Sequence, residues 1–170
     1  INRLEKNRVI NKDGEKIDGN FIHIIPEQKA GKIIFDSQLS NSDWCKINPQ
    51  TFQLLNFKDI YAVGDSVDAG DMPKSAFSAE SQAKILSLNL INRILQKSYL
   101  NPVFLNTCYS FSSNDRAFSI TSWYKLNTMK DRIVSLGSSE SSVDGLNNER
   151  IRESKEAFGW YESITKTLYG

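Results

Sequence analysis

A glycine and an aspartate, Gly64 and Asp65, directly follow the apolar run at residues 60–63. Glycine lets the backbone approach a ligand closely, and an aspartate carboxylate can accept hydrogen bonds from ligand hydroxyl groups. A helix is expected to begin soon afterwards, with Ser75 as its N-cap. Because the first N–H groups of a helix lack partners within it, they can face an electron-rich group. The segment therefore predicts a ligand site, although an ordinary strand with a Gly-Asp turn has the same residues.

The two cysteines, Cys45 and Cys108, are candidates for redox chemistry. A bridge between them, two free thiols, or a bond to a cysteine outside this chain all agree with the sequence. Cys108 lies in a strand-like run, where we expect a packed small residue. His23 lies in an apolar run, where a packed core residue is more common than a base. No spacing of Cys and His is typical of a metal site, so we predict no metal ligands.

Turn residues and apolar runs predict the elements that position these side chains. A strand at residues 8–10 leads into a turn at 11–14, where Asn and Asp precede Gly. Two short apolar runs, at 21–25 and 59–63, predict buried strands. The clearest helix follows Ser75. Its apolar stripe, with spacings of three and four residues, consists of Ala76, Ala79, Ala83, Leu86, Leu90 and Ile94.

The last third of the sequence predicts a hairpin and a helix. Residues 103–109 and 118–124 are strand-like, and Asn114-Asp115 lies between them as a turn. Residues 135–148 are rich in Ser, Gly and Asn and predict a loop. Residues 149–168 predict a final helix.

Composition excludes several classes of protein. Of the 170 residues, 39% are hydrophobic and 24% charged, which is typical of an ordered globular chain. The net charge of +1 provides no bulk attraction to nucleic acid or to acidic membranes. No apolar run approaches the roughly 20 residues that span a bilayer. We expect neither a nucleic-acid partner nor a transmembrane segment.

The segment from Gly64 to Lys84 resembles the second FAD motif of the disulfide reductase superfamily, whose members have two dinucleotide-binding domains. The matching residues are Gly64-Asp65-Ser66, Met72-Pro73-Lys74-Ser75 and Ser78-Ala79-Glu80-Ser81-Gln82-Ala83-Lys84. Within it, the sequence is most similar to the flavoprotein subunit of flavocytochrome c sulfide dehydrogenase. That narrower resemblance rests on Ile25-Pro26-Glu27-Gln28-Lys29-Ala30-Gly31, Trp44-Cys45, Pro49-Gln50-Thr51-Phe52, Leu105-Asn106-Thr107-Cys108-Tyr109-Ser110 and Trp160-Tyr161. Glu27 and Lys46 stand where the family usually has proline.

The resemblance implies an FAD site. It assigns Gly64 and Asp65 to the ribityl chain, and the backbone of Lys74, Ser75 and Ala76 to the electron-rich end of the flavin. A positive Lys74 side chain near the flavin would favour its reduced form. A solvated loop lysine agrees equally well with the sequence.

The resemblance also assigns roles to one cysteine and two aromatic residues. The family's counterpart of Cys45 forms a redox-active disulfide with an upstream cysteine, and sulfide attacks that disulfide. A buried, inert Cys45 is the alternative. Trp160 and Tyr161 are implied to lie between the flavin and a c-type cytochrome subunit, although aromatic residues of a helix most often pack in a core.

The family begins with a Gly-rich phosphate-binding fingerprint, and this sequence has no Gly-x-Gly. We therefore expect the C-terminal part of a longer flavoprotein, inactive when isolated. The expected fold class is α/β with an α+β C-terminal part. Residues 1–35 would be the tail of a second, pyridine-nucleotide-like domain, residues 36–98 the end of the FAD-binding domain, and residues 99–170 a domain that covers the flavin and docks a partner.

The activity that the resemblance implies is oxidation of sulfide to sulfur or polysulfide. Electrons would leave through FAD to a cytochrome c, and the family's location implies the periplasm. Three alternatives stay open: a sulfide:quinone oxidoreductase, an NAD(P)H-dependent flavin disulfide reductase, and a non-catalytic domain that only docks a partner.

Overall fold

Two separate three-stranded antiparallel sheets and three helices make up the computed structural model, which describes residues 3–170. This α+β arrangement agrees with the expected C-terminal part of the fold. The elements in chain order are β1 (Arg3–Glu5), β2 (Arg8–Ile10), β3 (Lys16–Asp18), α1 (Lys32–Asp36), α2 (Ala76–Ile94), β4 (Val103–Ser113), β5 (Arg116–Leu126), β6 (Ile133–Glu140) and α3 (Asn147–Tyr169).

The first sheet has the order β1-β2-β3, and the predicted strand at 8–10 and its turn are confirmed. The Asn11 side chain accepts hydrogen bonds from the N–H groups of Asp13 and Glu15, both at 2.9 Å. Gly14 takes a φ of +84°, which only glycine adopts at little cost. Within the described chain, this sheet contacts no other helix or strand.

The predicted buried strand at residues 21–25 is wrong. These residues form no strand, and Phe21 and Ile25 are 89% and 79% exposed. No strand among residues 3–170 pairs with them, so their backbone has no ladder of hydrogen bonds to hold it. His23, expected in a core, is exposed for the same reason.

The predicted strand at residues 59–63 is also wrong. Only Tyr61 pairs there, through an isolated bridge with Gln53. A one-turn 3-10 helix, Gly64–Ser66, follows. The apolar run does include a residue of a short β-bridge. A single isolated bridge is not a strand of a sheet, which is what the apolar pattern predicted.

Helix α2 begins at the predicted N-cap, because the Ser75 side chain accepts a hydrogen bond from the N–H of Ser78 at 3.0 Å. Its fully buried face is polar, however, and contains Ser78, Gln82 and Asn89. The expected apolar stripe is only half-buried at best, and Ile94 is 78% exposed. Each of these buried polar side chains has hydrogen-bond partners, so the polar face can be buried without leaving polar groups unpaired.

The second sheet has the order β4-β5-β6. The predicted hairpin is confirmed, with longer strands than expected. Much of the predicted loop at 135–148 is instead strand β6, which pairs along β5. Serine and glycine are poor strand residues, but pairing with β5 and burial of Ile133 determine the outcome.

Helix α3 confirms the predicted final helix and packs on β5 and β4, while α2 packs on β4. The hydrophobic core joins the loops before α2 to the second sheet, as in the edge-to-face contact of Phe52 with Phe104. None of the helices in residues 3–170 has the length and apolar character needed to cross a membrane.

Candidate functional site

One cavity of about 480 Å³ collects residues from α2, β4 and α3. Four residues singled out by the sequence line it: Ser75 and Ala76 at the start of α2, and Trp160 and Tyr161 on α3. Cys108 on β4 lines it as well. The structure thus brings the two ends of the predicted site together, although 84 positions separate Ala76 from Trp160 in the sequence.

The start of α2 presents unpaired donors. Ser75 caps the N–H of Ser78, and the N–H groups of Ala76 and Phe77 have no acceptor among residues 3–170. The aligned peptide dipoles make this end of the helix partially positive. An anionic or electron-rich group placed here would be stabilised.

Aromatic rings form much of the cavity wall. Trp160 stacks on Phe77 with ring centroids 5.4 Å apart and planes within 15°. The indole Nε1 of Trp160 is buried and has no hydrogen-bond partner within the described chain. Burial, reinforced by the charges of Glu156 and Glu153, raises the pKa of Tyr109, which also lines the cavity. Tyr109 is therefore a neutral hydroxyl at physiological pH.

The Gly64–Ser66 turn lies against α2. Gly64 has a φ of +74° and donates its N–H to Gln82 Oε1 at 2.7 Å. A Cβ atom at this position would lie only 3.1 Å from the Cβ of Ala79. This close approach explains the glycine without any ligand. The neighbouring Asp65 carboxylate is exposed and makes no hydrogen bond or ion pair with residues 3–170, so it is free to accept one.

The Lys74 ammonium group is held away from the cavity. It donates to the Val67 carbonyl oxygen at 2.7 Å and lies 3.7 Å from the centroid of the Trp44 ring. Burial lowers the pKa of Lys74, against the opposite effect of Asp65 and Asp68. The side chain therefore ties two loops together, and only the backbone of Lys74 adjoins the helix start.

Cys45 is fully buried and does not line the cavity. Its N–H donates to Ser66 O at 2.9 Å, and its carbonyl accepts from the N–H of Asp68 at 3.0 Å. Burial raises the pKa of the Cys45 thiol. The structure therefore places this residue beside the Gly64–Ser66 turn as a protonated thiol.

Cys108 corrects two expectations. Both cysteines are free, which removes a Cys45–Cys108 bridge from the alternatives. Cys108 is exposed at the cavity and is not a packed residue, because β4 is an edge strand that α2 and α3 cover only in part.

Sequence reasoning missed Asn106, Phe77 and Tyr109. Phe77 carries no signal beyond apolar character, and its place in the site depends on how α2 and α3 meet over β4. Asn106 and Tyr109 were part of a motif in the resemblance. The contacts of Asn106 with α2 and the position of Tyr109 in the cavity wall arise only in the folded chain.

Comparison with known proteins assigns part of this chain to a flavin-binding domain of a redox protein. Residues 100–168 match the family model described as "Flavocytochrome c sulphide dehydrogenase, flavin-binding". The resemblance drawn from the sequence is therefore confirmed for the segment that contains β4, β5, β6 and most of α3. The matched domain identifies FAD as the cofactor.

The chain is also similar to ferroptosis suppressor protein 1 of Taeniopygia guttata. The two are 29% identical over 92 residues, which cover 53% of this chain and 24% of that protein. The matched segment thus spans about a quarter of the length of this relative.

The residues around the cavity fit FAD. The flavin ring is planar, aromatic and electron-rich at one end, which suits the aromatic wall and the free N–H groups of Ala76 and Phe77. The unpaired Asp65 carboxylate suits a hydroxylated chain, and the orphaned Nε1 of Trp160 is a donor without an acceptor. Bound FAD would supply two-electron redox chemistry.

Proposed function

We propose that this chain is the C-terminal part of an FAD-dependent sulfide dehydrogenase of the flavocytochrome c type. It would oxidise sulfide to sulfur or polysulfide and pass the electrons to a c-type cytochrome subunit, in the periplasm. One observation carries the proposal: the cavity between the start of α2 and Trp160 is built largely by the segment that matches the family model.

In this proposal, the start of α2 stabilises negative charge on the cofactor. The N–H groups of Ala76 and Phe77 are fixed by the Ser75 cap, so they need little reorganisation to receive an anionic group. Asp65 would bind a hydroxyl of the ribityl chain. Trp160 and Tyr161 would cover the flavin on the side where electrons leave, and Tyr161 is 61% exposed for contact with the partner.

Cys45 would act as half of a redox disulfide with a cysteine outside this chain. Attack of hydrosulfide on that disulfide forms a new S–S bond on one cysteine and releases the other as a thiolate. The Trp44-Cys45 pair supports this role through the resemblance. The buried environment favours the thiol over the thiolate, so the reactive form would depend on the partner cysteine.

The test is anaerobic addition of sulfide to the longer, FAD-loaded protein that contains this chain, with flavin absorbance as the readout. Rapid bleaching, followed by cytochrome c reduction, is the expected result. Cys45→Ser should abolish sulfide-driven bleaching while FAD stays bound, and dithionite should still bleach the flavin of this variant.

Other results would redirect the proposal. Bleaching by NAD(P)H and not by sulfide would favour a reductase. Sulfide-driven bleaching with electrons accepted by a quinone and not by cytochrome c would favour a sulfide:quinone oxidoreductase. A protein that binds no FAD would be a docking domain only.

A further inference from the structure

Asn106, a buried residue of β4, lies directly behind the start of α2. It is only 3% exposed. Its Oδ1 lies 2.5 Å from Ser75 Oγ and 3.2 Å from Ser78 Oγ, so one side-chain oxygen serves two hydroxyl groups of the helix. Its Nδ2 faces Cys108 Sγ at 3.4 Å. A single side chain therefore joins the C-terminal sheet to the helix start and to the cavity wall.

The direction of these hydrogen bonds follows from the helix cap. Ser75 Oγ accepts the N–H of Ser78, so its own proton is free to go to Asn106 Oδ1. This chain of bonds leaves the Ser75 hydroxyl one orientation that satisfies both partners. In turn, the fixed cap holds the backbone of the first helical turn, where the free N–H groups of Ala76 and Phe77 lie.

We propose that Asn106 is a positioning residue for the flavin. By holding Ser75, it fixes the helix start whose N–H groups stabilise the reduced, anionic flavin. This inference rests on the proposed function as far as FAD binding is concerned, but it does not depend on sulfide as the electron donor. Asn106 would act on the flavin through Ser75, without contact of its own.

Asn89, on helix α2, provides a matched control for Asn106. Asn89 is equally buried, at 1% exposed, and binds Gln50 O at 2.7 Å and the N–H of Leu100 at 2.9 Å. At 1.5 Å per residue it lies roughly 20 Å along α2 from Ala76. Loss of Asn89 removes a comparable buried amide far from the helix start.

The decisive measurement is the redox equilibrium of bound FAD against a reference dye, with dithionite as reductant. In Asn106→Leu, the ratio of reduced to oxidised flavin at a fixed potential should fall about tenfold, which is about 30 mV for a two-electron couple. Asn89→Leu should leave this ratio unchanged. An unchanged ratio in Asn106→Leu with FAD bound would overturn the proposal, as would an equal shift in both variants.

A double-mutant cycle tests whether Asn106 acts through Ser75. In a Ser75→Ala background, Asn106→Leu should cause little further shift of the ratio. Full additivity would contradict the proposal. In the FAD-free 170-residue chain, the same two substitutions should be non-additive in the free energy of unfolding, whereas Asn89→Leu and Ser75→Ala should add.

A substitute variant and the choice of reductant separate failure of this proposal from misfolding and from failure of the proposed sulfide activity. If Asn106→Leu does not fold, Asn106→Ser replaces it, with a smaller shift in the same direction, and no shift again overturns the proposal. If dithionite reduces bound FAD with the expected pattern but sulfide does not, only the proposed sulfide activity fails. If the unmodified protein binds no FAD, both proposals fail.

Discussion

The two thiols of this chain differ in their access to solvent, so we expect them to differ in reactivity. Cys108 is exposed, whereas Cys45 has no exposed surface and a pKa raised by burial. Because thiolates react and buried thiols do not, a thiol reagent should modify one cysteine per folded chain rapidly. Cys108→Ser should remove the rapid phase, and unfolding in urea should expose two reactive thiols. Two rapid thiols in the native chain would contradict the burial of Cys45.

Glu153 is a second residue with a measurable consequence. Burial alone would raise the pKa of this 6% exposed carboxyl, but hydrogen bonds from Ser141, Arg150 and Ser119 outweigh burial and lower it. A lowered folded pKa contributes stability above the unfolded value, and that stability is lost as the pH falls through the folded pKa. Glu153→Gln should therefore cost about 2 kcal/mol of unfolding free energy at pH 7.

The pH dependence separates this effect from simple loss of packing. The difference between wild type and Glu153→Gln should shrink as the pH falls below the ordinary carboxyl pKa of 4.5. Denaturant unfolding at several pH values measures it. Glu156→Gln is the control, because its 50% exposed side chain pairs with Arg152 on the surface. A difference that stays constant at acid pH would exclude this explanation.

Residue types predicted part of the site and could not predict the rest. The Ser75 cap is a local signal, and the structure confirms it. Trp160 carries a signal only through the resemblance, which placed it near a flavin. The contact of Asn106 with Ser75 joins residues 31 positions apart, so it depends on packing that no local pattern encodes.

The contact between the Gly64–Ser66 turn and α2 predicts different costs for two glycine substitutions. Gly64 and Gly14 both have a φ near +80°, but only Gly64 has a neighbour where a Cβ would lie, at 3.1 Å from Ala79 Cβ. Gly14→Ala should cost about 1 kcal/mol for the left-handed backbone alone. Gly64→Ala should cost on the order of 1 kcal/mol more, because the turn must move away from α2.

Chemical denaturation of the two variants measures both costs. Equal losses would mean that the turn is not packed on α2. Gly64→Ala should also release the hydrogen bond from the Gly64 N–H to Gln82, so the variant of the FAD-loaded protein should hold its cofactor less tightly. Gly14→Ala should not change that affinity.

Helices and hairpins that local sequence patterns specify could be predicted. Strands that form only when a neighbouring strand pairs with them could not. Helices α2 and α3 and the β4–β5 hairpin follow from periodicity and a turn, and all three are present. Strand β6 has a loop-like composition and exists because β5 offers it an edge. Residues 21–25 have a strand-like composition and form no strand, because nothing in the described chain pairs with them.

The hydrophobic core extends across the predicted domain boundary between residues 98 and 99. Phe104, Tyr124 and Ile133 of the second sheet belong to one cluster with Phe52 and residues of the loops before α2. The division into domains at this position remains a prediction. If the two sides are cut apart, each exposes the apolar surface that the other now covers.

Truncation tests this organisation. Among residues 3–170, the sheet of β1, β2 and β3 contacts no other helix or strand and supplies no residue of the main core cluster. A chain of residues 21–170 should therefore keep its unfolding free energy within about 0.5 kcal/mol. The exposed ion pair of Lys12 with Glu27 is lost at little cost. A chain of residues 99–170 should lose the cooperative transition, because Phe104 then has no Phe52 to pack on. A cooperative transition in the shorter chain, measured by circular dichroism, would show that the matched domain folds independently and that its core contacts with the preceding loops are dispensable.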